Sequence, residues 1–134
     1  MKKVILLVIL AAVFQACTVY DYESEFDERD RIVGHYDVEE YSETFGEVTY
    51  YGIYITKSGY GDKIYLENFY ASDLRVYAIL RYNRITIPYQ LVDGYEIEGS
   101  GTIQGNELVL DYSVNDLYSH SPIDYCETVA WLNY

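Results

Sequence analysis

The chain has 134 residues and a formal net charge of −13, because 22 acidic residues outnumber nine Lys and Arg residues. Affinity for nucleic acid comes largely from Lys and Arg side chains that displace counterions, so this balance excludes a nucleic-acid-binding protein. Once any leader is removed, the length allows one domain with a single core. Anionic membrane surfaces repel a chain this acidic unless it is covalently attached to one.

The first 16 residues have the layout of a secretory signal. Lys2 and Lys3 form a short basic head, and residues 4–14 form an unbroken apolar run. This run is too short to span a bilayer as a stable helix. Gln15 and Ala16 then lead directly to Cys17.

A cysteine directly after a small residue makes this segment resemble a bacterial lipoprotein signal. The resemblance implies that residues 1–16 are removed and that Cys17 is lipidated as the new N-terminus, anchored by several acyl chains. Plain secretion is a second interpretation, although Phe14 stands where an ordinary cleavage site has a small residue. A retained membrane helix is a third.

Residues 17–31 are predicted to form a lipidated acidic tether. Its acidic side chains repel one another, which keeps such a segment extended. Thr18, rather than Asp, follows the cysteine, and by resemblance this implies the outer membrane of a Gram-negative bacterium. Acidic residues in this position serve some lineages as a surface-export signal, so both a periplasmic and a surface orientation stay open.

The cysteine count agrees with export. If Cys17 is lipidated, Cys126 has no partner for an intrachain disulfide, and the fold must be held by packing alone. If Cys17 stays a free thiol, a disulfide to Cys126 becomes conceivable. Cys126 itself is predicted to be a small buried apolar residue rather than a reactive thiol.

From Ile32 onward, apolar residues recur with a period of two, which predicts β-strands. The first strand is expected at residues 34–41 and the last at residues 125–132. Turns are expected at three glycine-containing segments: 58–62, 93–94 and 104–106. Eight strands with mostly short connections predict an all-β fold, an eight-stranded antiparallel meander. Closure into a small barrel removes its exposed edges.

Residues 32–134 therefore form the predicted barrel domain, and this domain resembles a known family. Gly34, His35 and Tyr36 stand where lipocalins carry Gly-x-Trp on the first strand. The chain is similar to the lipocalin-like lipoproteins of Gram-negative bacteria. This resemblance implies a small lipocalin-like barrel that binds a ligand in its interior.

Three residues interrupt the strand pattern. Pro88 lies inside the fifth strand and cannot donate to a ladder, so that strand is expected to contain a bulge or an open edge. Gly99 and Gly101 remove side chains from one face of the sixth strand. We favour sharp barrel curvature as the reason over Trp131 lying across the gap.

Eighteen tyrosines are the main candidates for a binding role. A structural role explains many of them, because tyrosine suits half-buried strand positions. One set shares the inward face with the aliphatic residues and is predicted to line or plug the interior, where it would bind a ligand: Tyr51, Tyr89, Tyr95 and Tyr112. A second set is predicted on the outer face, as a surface for a protein partner or a sugar: Tyr50, Tyr54, Tyr65 and Tyr77.

Catalytic and metal-binding patterns are weak. His35, His120 and Cys126 are scattered, without the paired spacing of a zinc site. The calcium-loop pattern is absent, and Ser119 beside His120 lacks an orienting third group. We therefore expect no metal, no cofactor and no enzymatic activity.

Two functions are supported as hypotheses. The first is a non-enzymatic, outer-membrane-anchored lipoprotein that binds a small apolar or amphipathic molecule inside its barrel. The second is a structural or interaction lipoprotein, such as an accessory subunit of an envelope complex, that uses its exposed tyrosine-rich face.

Overall fold

The computed structural model describes residues 26–59 and 61–134. The predicted signal, the predicted lipidation site Cys17 and the first part of the predicted tether lie outside the described residues. Within the described ranges, no helix is both long enough and apolar enough to cross a membrane.

The structure is an eight-stranded antiparallel meander that closes into a barrel, as predicted. A short 3₁₀ helix, η1, spans Glu28–Arg31. The strands are β1 Gly34–Ser42, β2 Glu47–Lys57, β3 Lys63–Phe69, β4 Leu74–Arg81, β5 Arg84–Val92, β6 Tyr95–Gln104, β7 Glu107–Asp116 and β8 Asp124–Asn133. Each strand pairs with the next, and β8 pairs with β1 in a continuous register from His35–Asn133 to Ser42–Cys126.

Alternation along the strands fills the barrel interior with apolar side chains. The largest of those under 2% exposed are Tyr36, Phe69, Ile32, Ile55, Ile64, Leu66, Ile85, Ile87, Ile97, Ile103, Leu108 and Leu110. Tyr36, the last residue of the lipocalin-like motif, is fully buried and its hydroxyl donates to the Ile32 carbonyl at 2.8 Å. Burial raises the pKa of Tyr36 to about 12. The middle of the barrel is thus a packed core.

The N-terminal end of the barrel is sealed by η1. Asp27 caps the helix, and its carboxylate also pairs with the buried Arg29 at 2.8 Å. The Arg29 guanidinium donates to the carbonyls of Ser58, Gly59 and Lys63 in the β2–β3 connection. Hydrogen bonding to Arg29 holds the pKa of Asp27 well below its usual range. Asp27 and η1 therefore pack on the barrel, upstream of the domain boundary predicted at Ile32.

The bulge predicted at Pro88 is present, and it changes which way the next side chains face. The β5–β6 register shifts between Ile87 and Gln90. As a result Gln90 is buried and Tyr89 is 59% exposed. The prediction that Tyr89 faces the interior is therefore wrong, because one extra residue in a strand moves every later side chain to the opposite face.

The buried side-chain amide of Gln90 forms hydrogen bonds to β4 where the backbones of β4 and β5 do not pair directly. β4 and β5 pair directly only from Ile79–Thr86 to Arg81–Arg84. Beyond that stretch the Gln90 side chain accepts from the Tyr77 amide at 3.0 Å and donates to the Tyr77 carbonyl at 2.9 Å. One side chain thereby satisfies both backbone groups of Tyr77 where the strands separate.

We expect Gln90→Ala to lower the free energy of unfolding by about 2 kcal/mol, because it leaves two backbone groups of Tyr77 without partners. Gln104→Ala, at an exposed position at the end of β6, is the matched control and should change stability by less than about 0.5 kcal/mol. Urea denaturation followed by tyrosine fluorescence measures both. Equal, small losses in the two variants would contradict the bridging role.

The two glycines of β6 allow a close approach of β7. A Cβ atom on Gly99 would lie 2.4 Å from the Cβ of Tyr112, and one on Gly101 would lie 1.9 Å from the carbonyl oxygen of Val109. Trp131 is on the outer surface, 43% exposed, and does not fill the gap. The close approach of β7 therefore requires both glycines, and sharp curvature of this wall stays a prediction.

Candidate functional site

The far end of the barrel, opposite η1, contains polar side chains inside the wall. It is the end at which β1, β3, β5 and β7 finish and the next strands begin. We use the term polar layer for seven residues here: Glu40, Ser42, Tyr51, Tyr70, Tyr112, Asp124 and Thr128. Five of them are less than 9% exposed, whereas Tyr51 and Tyr70 are half-buried.

Glu40 is held by two tyrosines from other strands. The Tyr51 hydroxyl donates to Glu40 Oε2 at 2.5 Å, and the Tyr112 hydroxyl donates to the same oxygen. The two hydroxyl oxygens lie 3.5 Å apart. Burial raises the pKa of Glu40 to about 7; the hydrogen bond from Tyr51 opposes this rise, and the charge of Asp124 adds to it. Glu40 therefore changes charge near neutral pH.

Asp124 is the second buried carboxylate of the polar layer. The Ser42 hydroxyl donates to its Oδ1 at 2.5 Å, and the Tyr70 hydroxyl donates to its Oδ2 at 2.6 Å. Ser42 also accepts from the backbone N–H of Phe45 at 3.0 Å, which ties the β1–β2 turn to the site. Two turns and two strands thus converge on this carboxylate.

Tyr70 reaches the site from a strained turn between β3 and β4. Four residues of this segment have left-handed backbone angles although none is glycine: Asn68, Tyr70, Ala71 and Asp73. The Asn68 side chain stabilises the segment by donating to the Gly52 carbonyl and accepting from the Asp73 amide. Non-glycine residues in this conformation each cost about 1 kcal/mol or more, and such strain concentrates at functional sites.

A cleft of about 450 Å³ opens at the far end, and we call it the mouth cleft. Its lining residues are Glu40, Ser42, Phe45, Glu47, Thr49, Tyr70, Ala71 and Asp124. The volume lies within the range typical of small-molecule sites, about 300–1,000 Å³. Both buried carboxylates stand at its base, while Phe45 and Glu47 are exposed at its rim.

Three larger clefts lie on the outer surface. The first, of about 530 Å³, adjoins η1 and is lined in part by Phe26 and Tyr82. The second, of about 720 Å³, lies beside Arg84 and Thr102, and the third, of about 490 Å³, lies beside Glu39 and Trp131. Most of their lining is exposed, and Arg29, the buried charge that borders the first, is already paired with Asp27. The mouth cleft differs because its base holds two carboxylates without a cationic partner.

Three of the four tyrosines predicted to face inward come together at the far end. Tyr51 and Tyr112 share Glu40, and Tyr95 packs edge-on against Tyr70 with ring centroids 6.4 Å apart. Tyr89 lies elsewhere, on the outer surface. Whether the three bind a ligand stays a prediction.

Sequence reasoning missed both carboxylates and Tyr70. Glu40 carried a usable signal, because it alternates with Tyr36 and Val38 on β1 and must point inward with them. Asp124 had a weaker signal, since it is two residues before the buried Cys126. Tyr70 had none, because its orientation depends on the turn.

The outer tyrosines face outward as predicted but do not form one free surface. Tyr50 and Tyr54 are 74% and 56% exposed on β2. Tyr65 and Tyr77 are half-buried neighbours on β3 and β4, and the Lys63 ammonium lies 5.7 and 4.4 Å from their ring centroids. This chain's own cation therefore covers part of the predicted partner surface.

The remaining candidate residues show no assembled centre. Cys126 is buried as predicted, and burial raises the pKa of its thiol. Over the described ranges, no group of three or more His, Cys, Asp or Glu side chains is close enough to hold a metal ion.

The barrel carries its charges asymmetrically. Residues 85–134 contain no Lys or Arg, and neither does β1. The wall formed by β6, β7, β8 and β1 is therefore acidic and has no Lys or Arg side chain of its own.

Comparison with protein-family models gives no match, and neither does comparison with curated proteins. The eight-stranded antiparallel barrel is consistent with a lipocalin-like barrel. Any function must therefore be argued from the site itself.

Proposed function

We propose that this chain is a non-enzymatic, outer-membrane-anchored lipoprotein that binds a small amphipathic molecule at the far end of its barrel. The observation that carries the proposal is the mouth cleft, which combines an aromatic rim with buried polar groups. Small-molecule sites typically join apolar walls to a few polar groups that orient the ligand.

The packed core moves the expected site from the middle of the barrel to its mouth. Ile55, Leu66, Ile87 and Leu110 fill the central interior and are each at most 2% exposed. A ligand there would have to displace close-packed side chains, which is costly in a core of native density. The mouth cleft requires no such displacement.

The position of the site suits an anchored protein. The described chain begins at Phe26, beside the sealed end, and the lipid on Cys17 is proposed to hold the protein from that side. The mouth cleft then opens away from the membrane. This arrangement serves a periplasmic or a surface orientation equally.

Native mass spectrometry of the full chain, extracted from membranes in mild detergent, tests the proposal. We expect an acylated mass, lost in Cys17→Ala, and a retained small molecule. Thr49→Trp places an indole at the cleft and should weaken binding about tenfold, a loss of about 1.4 kcal/mol, and so reduce the retained fraction. Thr56→Trp, exposed on the outer face of the same strand, should not. Retention that is equal in the two tryptophan variants would contradict the proposed site.

A second function is favoured by the outer surface of β2. Tyr50 and Tyr54 are highly exposed, and β1 beside them presents Asp37 and Glu39. Tyrosines are common contact residues in protein interfaces, and acidic neighbours would select a basic partner. An accessory subunit of an envelope complex should appear as a heteromeric mass in the same experiment, and a strictly monomeric mass would contradict it.

A further inference from the structure

We infer that the mouth cleft selects a positively charged ligand, a protonated amine that carries an apolar group, with Glu40 and Asp124 as its anionic partners. This inference deepens the proposed function and rests on it. It names the chemical class of the ligand, which the shape of the cleft alone leaves open.

Among the described residues, the two carboxylates lack a compensating positive charge. Their hydrogen-bond donors are three tyrosine hydroxyls and one serine hydroxyl, all neutral. In the described part of the chain, no Lys or Arg forms an ion pair with either carboxylate. A buried carboxylate is normally paired with a cation, and a charge-assisted hydrogen bond is about twice as strong as a neutral one.

Within residues 26–59 and 61–134, a buried hydroxyl without a hydrogen-bond partner lies on the strand next to Glu40. Thr128 lies directly opposite Glu40 in the β1–β8 register, and both side chains point into the barrel. Thr128 is 3% exposed, and its Oγ1 has no hydrogen-bond partner among the described residues. A buried polar atom without a partner is rare in native proteins. Thr128 does not itself line the mouth cleft, so its hydroxyl marks an unsatisfied hydrogen-bonding group in the polar layer, opposite Glu40 on the neighbouring strand.

Aromatic side chains line the mouth cleft together with the carboxylates. Phe45 is 47% exposed at the rim, and Tyr70 forms the opposite wall. Aromatic faces attract cations and also accept apolar groups. Glu47 adds a further carboxylate at the entrance. The lining contains no basic side chain, so an anionic ligand would meet only repulsion.

Three probes of similar size test the sign of the charge: 2-phenylethylamine, 2-phenylethanol and 3-phenylpropionate. Isothermal titration of the full chain in a neutral detergent at pH 8 measures each dissociation constant. We expect the amine to bind at least about tenfold more tightly than the alcohol, and the carboxylate to show no binding.

Matched variants locate the effect. Glu40→Gln should weaken amine binding about tenfold and leave alcohol binding unchanged. Glu39→Gln removes an equal charge from the adjacent, outward-facing position of β1 and should change neither. Amine affinity in the wild-type chain should also fall from pH 8 to pH 6, because Glu40 takes up a proton over this range. The titratable groups that face Glu40 are Tyr51, Tyr112, Tyr70, Asp124 and Cys126.

The outcomes separate this inference from the proposed function. If the amine and the alcohol bind equally, or if Glu40→Gln and Glu39→Gln act alike, charge selection is wrong while a small-molecule site survives. If none of the three probes binds and native mass spectrometry finds no retained molecule, the proposed function fails as well.

Discussion

When the pH rises from about 4.5 to 8, the free energy of unfolding of the wild-type chain is expected to fall by about 3 kcal/mol more than that of the Glu40→Gln variant. The cause is the buried carboxyl group of Glu40, whose pKa rises from 4.5 to about 7 in the folded chain. At pH 8 the variant should be the more stable protein, because a neutral amide replaces a buried charge at nearly the same volume.

The sign of this effect is set by proton binding. A carboxyl pKa that is raised by folding means that the folded chain binds this proton more tightly than the unfolded chain does. The resulting stability is present below about pH 4.5 and is lost as the pH rises to about 7. The groups that face Glu40 are Tyr51, Tyr112, Tyr70, Asp124 and Cys126, and none carries a positive charge.

Urea denaturation at a series of pH values measures this effect, and the quantity of interest is the difference between variants. Glu39→Gln, on the outer face of β1, is the control and should match the wild-type curve. Asp27 has a lowered pKa, so its stabilisation is lost at more acidic pH and in all three proteins alike. If the free energy of unfolding varies with pH in the same way in wild type and Glu40→Gln, then Glu40 does not carry a buried charge.

Gly101→Ala is expected to lower the free energy of unfolding by about 3 kcal/mol or more, because overpacking against a strand backbone cannot be relieved by a rotamer change. The new Cβ would lie 1.9 Å from the Val109 carbonyl oxygen and 2.7 Å from Leu110 Cδ2. β6 and β7 would have to separate, which breaks ladder hydrogen bonds around this position.

Gly105→Ala is the matched control for this change. Gly105 lies in the β6–β7 turn with φ +58°, and a Cβ added there would have no atom of the described residues within 4 Å, so alanine should cost only about 1 kcal/mol through backbone strain. Thermal and urea denaturation of the two variants give the comparison. A Gly101→Ala protein as stable as Gly105→Ala would contradict the close approach of the two strands.

Much of the fold is predictable from sequence because the signals are local. Alternation places Ile53 and Ile55 inside and Tyr54 outside, and the structure agrees. Pro88 also indicates its bulge. The orientation of Tyr89 is missed because a period of two does not continue through a bulge, and the position of the extra residue decides which face the later side chains occupy.

The site is less predictable because its parts are distant in the sequence. Ser42 and Asp124 are 82 residues apart, and Tyr112 is 72 residues from Glu40. No local pattern relates such positions. A buried acid can be foreseen at residue 40 from strand parity alone, but its tyrosine donors depend on which strands become neighbours when the barrel closes.

The sequence by itself determined the eight strands, their turns and most of their inward faces, because backbone pleating imposes a period of two on every strand. The tertiary structure alone decided the register in which β8 pairs with β1, and so that Thr128 stands opposite Glu40. It also decided that Tyr70, which lies in a strained turn, donates its hydroxyl to Asp124. These contacts depend on closure of the sheet, which brings the first and last strands into one register, and closure is a property of the whole barrel.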